Sequence, residues 1–288
     1  MEEKVLLDTD IGSDIDDAIC LSYLLSNPDC KLLGVTTVTG EVEKRSIMVS
    51  YICEKGGKDI PIFPGSEQPL IGQQRQKVCQ QFEYLEKISY KKEHKKYEWL
   101  NFLVETVKSN PGEVNLITIG PLTNIGILFK FYPEITELLK GIYIMGGCFF
   151  EDKKVEWNII CDPYAAHIVF ESNVKNIYIC GLDVTTKVVM KKEDIIKNFS
   201  KYKLLKEILN FAEIWFRGRD IITFHDPLAA SILFKKDICE FKKGNVSVEI
   251  ENREKFGITN FIEDEKGNFN VAYKVNPERF FSHFFSQF

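Results

Sequence analysis

The run Asp8-Thr9-Asp10-Ile11-Gly12-Ser13-Asp14-Ile15-Asp16-Asp17 places five carboxylates within ten residues. Like charges at this density raise one another's pKa values unless a cation neutralises them. Oxygen donors so arranged suit a hard cation, Ca2+ or Mg2+. Helix capping explains one or two of the aspartates, because Asp is favoured at the N-cap and in the first turn. It does not explain five. An EF-hand is excluded, because its loop needs Gly at position six and Glu at position twelve. Counting from Asp8, those places hold Ser13 and Ile19.

Four further segments carry polar chemistry. They are Thr36-Thr37-Val38-Thr39-Gly40-Glu41, Gly120-Pro121-Leu122-Thr123-Asn124, Met145-Gly146-Gly147 with Glu156-Trp157-Asn158 and Asp162-Pro163, and His225-Asp226-Pro227-Leu228-Ala229. Taken alone, Gly-Pro-Leu-Thr-Asn is an ordinary strand-to-helix turn and His-Asp-Pro an ordinary helix start. Among the four histidines, only His225 adjoins a candidate metal ligand.

Something must bring these distant segments together. Short apolar runs at 5–8, 31–38, 61–63, 115–119, 141–145 and 174–180 read as strands, and 16–25, 42–54 and 122–131 read as helices. This alternation predicts an α/β fold, an open and mostly parallel central sheet with flanking helices, in a single domain spanning 1–288. The aspartate run would then lie at the carboxyl end of a strand, where such sheets bind ligands. Asp16 and Asp17 would open the following helix, pointing about 100° apart and so serving different ligands. The stretch 73–98, rich in Gln, Lys, Glu and Tyr, reads as a solvated helical face, or alternatively as a mobile lid over the site. The chain end reads as strands at 246–250 and 271–275, followed by a short aromatic tail.

Lys plus Arg is 37 and Asp plus Glu is 42, a net charge of −5, which argues against a nucleic-acid partner. The hydrophobic fraction of 44% and charged fraction of 27% are those of a globular chain and exclude disorder. The eight cysteines form no CxxC pair and mostly sit in apolar runs, as reduced core thiols do. No apolar run approaches the ~20 residues of a membrane span, and the N-terminus lacks a secretion signal. The expected setting is cytoplasmic, with no membrane partner.

Together the segments resemble the inosine-uridine preferring nucleoside hydrolase family. The matching residues are Asp8-Thr9-Asp10 with Asp16-Asp17, 34–40, Pro64-Gly65, 120–124, 145–147, Glu156-Trp157-Asn158 with Asp162-Pro163, and 225–229. The aspartate cluster and the His-Asp-Pro segment are the specific part. The resemblance implies Ca2+-dependent hydrolysis of the N-glycosidic bond of ribonucleosides, purine/pyrimidine salvage, and a homodimer or homotetramer. It also implies the site. Asp10, Asp17, Asp226 and the carbonyl of Ile119 resemble the Ca2+ ligands, and Asp10 the general base. Asp16, Glu156 and Asn158 resemble the ribose-hydroxyl ligands, Met145 a residue lining the sugar, and His225 the group that helps the base depart.

Three departures bear on the substrate. Asp14-Ile15 is an insertion, which leaves Asp14 or Asp16 for the sugar. Glu41 stands where the family commonly has Asn, on the 5′ side of the substrate; a carboxylate accepts from a hydroxyl but adds charge and cannot donate. The family's His-Gly segment, in the loop where base preference often lies, has no counterpart near Gln73. Arg217 and Arg219 could reach the base or a phosphate, or lie on the surface. Two other readings compete. One is a haloacid-dehalogenase-like Mg2+ phosphohydrolase, which also uses Asp-x-Asp after a strand. The other is a catalytically decayed Ca2+- and ribonucleoside-binding protein.

Overall fold

The computed structural model of the chain describes residues 2–150 and 154–288. In chain order the strands are β1 (Glu3–Thr9), β2 (Cys30–Thr37), β3 (Ile62–Pro64), β4 (Val114–Thr118), β5 (Gly141–Met145), β6 (Ile177–Cys180), β7 (Val189–Lys191), β8 (Ile221–Thr223), β9 (Cys239–Val248), β10 (Thr259–Glu263) and β11 (Phe269–Val275). Nine of them form one sheet in the order β10-β9-β11-β6-β5-β4-β1-β2-β3. From β3 across to β11 every neighbouring pair is parallel. Within this sheet the β11–β9 and β9–β10 pairs are antiparallel. The expected open, mostly parallel sheet is therefore present.

The central strands are covered on both faces, which is why they read as continuous apolar runs. Alternate residues serve opposite cores. Val5 and Leu7 join one cluster and Leu6 the other. Likewise Tyr143 and Met145 face one side of β5 and Ile142 and Ile144 the other. β1 pairs with β2 on one side and β4 on the other. The strand order reverses there, opening a crevice beyond the carboxyl ends of β1 and β4.

Two expectations need correction. The aromatic tail is a helix, Pro277–Phe285, whose start is capped by Asn276 accepting from the Arg279 N–H at 2.9 Å. Phe280 and Phe284 are fully buried and pack against Phe224 at ring separations of 5.9 and 5.6 Å. The tail thus braces the residue just before His225. The stretch 73–98 is not a helical face. It holds a single 3-10 turn, Gln80–Phe82, and a short helix, Glu83–Lys87, before the helix Trp99–Lys108. Gln76, Cys79, Gln81, Phe82 and Leu85 are buried, because the segment folds back over the carboxyl end of β1.

Candidate active site

A cavity of about 710 Å³ opens at this crevice. Four of the five clustered aspartates line it, namely Asp10, Asp14, Asp16 and Asp17, together with Ile119, Met145, Glu156, Asn158, His225 and Asp226. β1 delivers the aspartates, the end of β4 delivers Ile119, β5 delivers Met145, and the short antiparallel pair β7–β8 leads into the helix His225–Phe234. Gly12 permits the turn: its φ is +106° and an added Cβ would lie 2.2 Å from Cys79 Sγ. Gly120 is equally constrained, since a Cβ there would meet Asp10 Oδ1 at 2.8 Å.

Asp16, Asp17 and Asp226 are buried and present carboxylate oxygens within 4.8 Å of one another. Asp17 accepts from the Thr9 hydroxyl at 2.5 Å, and Asp16 from the backbone N–H of Asp226 at 3.1 Å. Burial, then repulsion from neighbouring aspartates, pushes all three carboxyls well above the usual range. Asp10 is raised by burial as well. Asp14 sits half-buried at the edge, its carboxylate turned to its own neighbour's N–H, Ile15, at 2.7 Å, and burial lifts it to about 6. Of the two candidates left by the insertion, Asp16 joins the tight cluster. Three buried acids converging on a water-accessible cavity are the donor set a divalent cation needs, and among the described residues no basic side chain is ion-paired with them. The fit to a hard metal is therefore good.

The remaining residues are arranged around this cluster. The Asn158 amide donates to the Ile119 carbonyl at 2.9 Å and to the Met145 carbonyl at 3.3 Å. Glu156 caps the helix Trp157–Cys161, accepting from the N–H groups of Asn158, Ile159 and Gly147 at 2.8, 3.0 and 3.1 Å. Burial still lifts it to about 6. His225 Nδ1 lies 2.7 Å from Thr185 Oγ1, and burial lowers the imidazole to about 4.

Two residues depart from expectation. Asp8 does not line the cavity. It is buried between strands, bonded by Thr36 Oγ1 and by Asn124 Nδ2, the latter at 2.7 Å, and desolvation lifts it to about 7. Glu41, expected beside the substrate, is not brought into the cavity. It starts the helix Val42–Lys55 at φ +53°, accepts from the Cys79 N–H at 2.8 Å and pairs with Lys44 at 2.8 Å. It lines a neighbouring cavity instead. Although burial opposes it, those contacts keep Glu41 below the usual range.

The profile of the family described as inosine-uridine preferring nucleoside hydrolase matches residues 5–282. The chain belongs to that family. Among its relatives, a probable uridine nucleosidase 2 of Oryza sativa subsp. japonica is 33% identical over 275 residues, covering 87% of this chain and 79% of the relative. A pyrimidine-specific ribonucleoside hydrolase, RihB, of Escherichia coli is 27% identical over 285 residues, covering 92% and 88%. Among solved structures, a plant nucleoside hydrolase, PpNRh1, superposes with a TM-score of 0.86 at 23% identity over 100% of this chain and 99% of that one. The protein is thus a nucleoside hydrolase enzyme. The haloacid-dehalogenase-like and non-catalytic readings are set aside.

Sequence reasoning missed two residues that shape this nucleoside hydrolase's cavity, Gln76 in its lining and Arg45 behind it. Gln76 donates from its amide to Asp10 Oδ2 and accepts from the Trp157 indole N–H. Arg45, fully buried, donates to the carbonyls of Asp10, Ile11, Thr39 and Gly40, tying the aspartate loop to the turn after β2. No motif marked Gln76; only the odd composition of 73–98 pointed to its segment. In the sequence Arg45 is one of three consecutive charges, Glu43-Lys44-Arg45, and nothing local distinguishes it.

Proposed function

We propose that the cavity binds Ca2+ and a ribonucleoside and releases ribose and free base. Asp10, Asp17, Asp226 and the Ile119 carbonyl would hold the ion, with Asp16 close beside them. The observation that carries this reading is the buried triad Asp16, Asp17 and Asp226 at the carboxyl end of β1. When bound, the ion supplies positive charge that orders the sugar diol and a water.

The side chains do the rest. Asp10 accepts the water's proton as the C1′–N bond lengthens toward an oxocarbenium-like centre. The surrounding carboxylates favour that positive sugar. Asp16, Glu156 and Asn158 bind ribose hydroxyls, with Asn158 fixed by its two carbonyl contacts, and Met145 lines the sugar. Glu156 keeps its oxygens anchored on three backbone amides, which orients it rigidly. Burial keeps His225 neutral at physiological pH. We assign the Thr185 hydroxyl as the donor to Nδ1, the tautomer that keeps Nε2–H to hydrogen-bond the departing base. Glu41 acts outside this first ring of contacts, by steadying the Cys79 turn.

We place the enzyme in the cytoplasm, serving purine and pyrimidine salvage as a homodimer or homotetramer. The eight cysteines, none in a disulfide among the described residues, support a reducing compartment, and no described helix is long and apolar enough to cross a membrane. The site assignment is tested by Asp10→Asn. It should keep the circular dichroism spectrum and lose roughly 10²–10⁴-fold in ribose release. Near wild-type turnover would remove Asp10 as the base.

A further inference from the structure

The floor of the cavity is acidic, but its rim is not. Arg75, Lys77 and Arg219 line it, are exposed, and have no carboxylate within ion-pair distance among the described residues. Their neighbourhood differs from an ordinary charged surface. Arg217, two residues from Arg219, is clamped by Glu83 through hydrogen bonds of 2.5 and 2.8 Å. Arg219 is instead stacked 4.0 Å over the Trp215 ring. That ring is itself fixed by its indole N–H donating to the Ile221 carbonyl at 3.0 Å. Stacking leaves the guanidinium edge, with its donors, free. Arg75 and Lys77 flank Gln76, whose side chain bridges Asp10 and Trp157. The segment that bears them is therefore pinned over the site.

Three cations held at the mouth of an acidic cavity suit a ligand with a neutral diol at one end and a dianion at the other. A phosphate monoester carries about −1.5 to −2 charge at neutral pH and three acceptor oxygens. A single carboxylate would leave two of the three cations unused. Only a 5′ ester leaves both the 2′ and 3′ hydroxyls free for the carboxylate floor.

We propose that the cavity accepts ribonucleoside 5′-monophosphates, with Arg75, Lys77 and Arg219 binding the phosphate. The proposal rests on the reading above that the floor holds the ribose diol. The chemistry is unchanged and balanced: water adds across the glycosidic bond. The C1′–N bond breaks, a C1′–O bond forms, and the proton lost by water ends on the base. The products are ribose 5-phosphate and free base, and the phosphate ester stays intact.

The test compares kcat/KM for uridine with uridine 5′-monophosphate and for inosine with inosine 5′-monophosphate, separating free base and ribose 5-phosphate by chromatography. The nucleotide should be favoured by about tenfold or more, as charge-assisted hydrogen bonds to phosphate warrant. High salt should erode that advantage. Arg219→Met and Arg75→Met should each lower kcat/KM for the nucleotide about tenfold more than for the nucleoside. Nucleoside turnover without a nucleotide preference would overturn the phosphate subsite and leave the nucleoside reading standing. So would equal losses on both substrates in the variants, or a stronger preference for a riboside whose base carries a carboxylate. No turnover of either substrate would overturn both readings.

Discussion

Stripping divalent cations should leave Asp16, Asp17 and Asp226 facing one another in a buried cluster. These carboxyls are raised by burial and by repulsion from neighbouring aspartates; burial likewise raises Asp14 and Glu156, each to about 6, and Asp8, to about 7. A folded pKa above the unfolded value means that the stability contribution is complete below the unfolded pKa. It is lost as pH rises through the folded one. The metal-free protein should therefore lose stability between about pH 4 and pH 7. Asp8 alone, moved from 3.8 to about 7, sets a scale of about 4 kcal/mol for that loss. Ca2+ at a hundred times its dissociation constant restores about 2.7 kcal/mol. For a chain of this length that is a melting shift of about 4–5 °C. Because protons compete for the same oxygens, the shift should be full at pH 7.5 and small at pH 5. The assay is a thermal melt of chelator-treated protein with and without added Ca2+ at both pH values, repeated on Asp226→Asn. That variant should melt higher than wild type without metal and lose the Ca2+ shift. An equal shift at both pH values, no shift at all, or a full shift in Asp226→Asn would refute the reasoning.

Two further outcomes follow from the same geometry. His225→Ala should slow hydrolysis of ordinary nucleosides far more than that of an activated nitrophenyl riboside, whose leaving group needs no hydrogen bond. Equal losses in steady-state rates would remove its leaving-group role. Phe284→Ala empties a fully buried position against Phe224 and should cost about 3–5 kcal/mol by denaturant melt. A loss under about 1 kcal/mol, typical of a surface position, would show that the C-terminal helix is not part of the core.

Much of the fold was legible because buried parallel strands write themselves as short apolar runs. β5 begins and ends where the run 141–145 does, and the helix after the aspartate run starts at Asp16 as expected. The antiparallel edge was harder to read. β9 alternates buried and exposed residues along Cys239–Val248, so only its last apolar residues stood out. The terminal helix was hidden because its two buried phenylalanines lie among four in nine residues, which reads as undirected aromatic content.

At the cavity, residues tied to strand ends could be placed from the sequence, because strand ends converge whatever the loops do. Asp10, Ile119, Met145 and Asp226 are of this kind. Glu41 lies outside the cavity because its backbone conformation and Lys44 turn the carboxylate toward Cys79, which no local pattern encodes. Gln76 escaped because its position depends on the whole path of 73–98 over the sheet.

The most direct measurement is reducing-sugar release from inosine, uridine, cytidine, adenosine and guanosine by the untreated protein, by chelator-treated protein, and by treated protein resupplied with Ca2+. The account predicts ribose release from at least one of them, abolished by the chelator and restored by Ca2+. Release that survives complete removal of divalent cations, or none from any nucleoside in the presence of Ca2+, would contradict it.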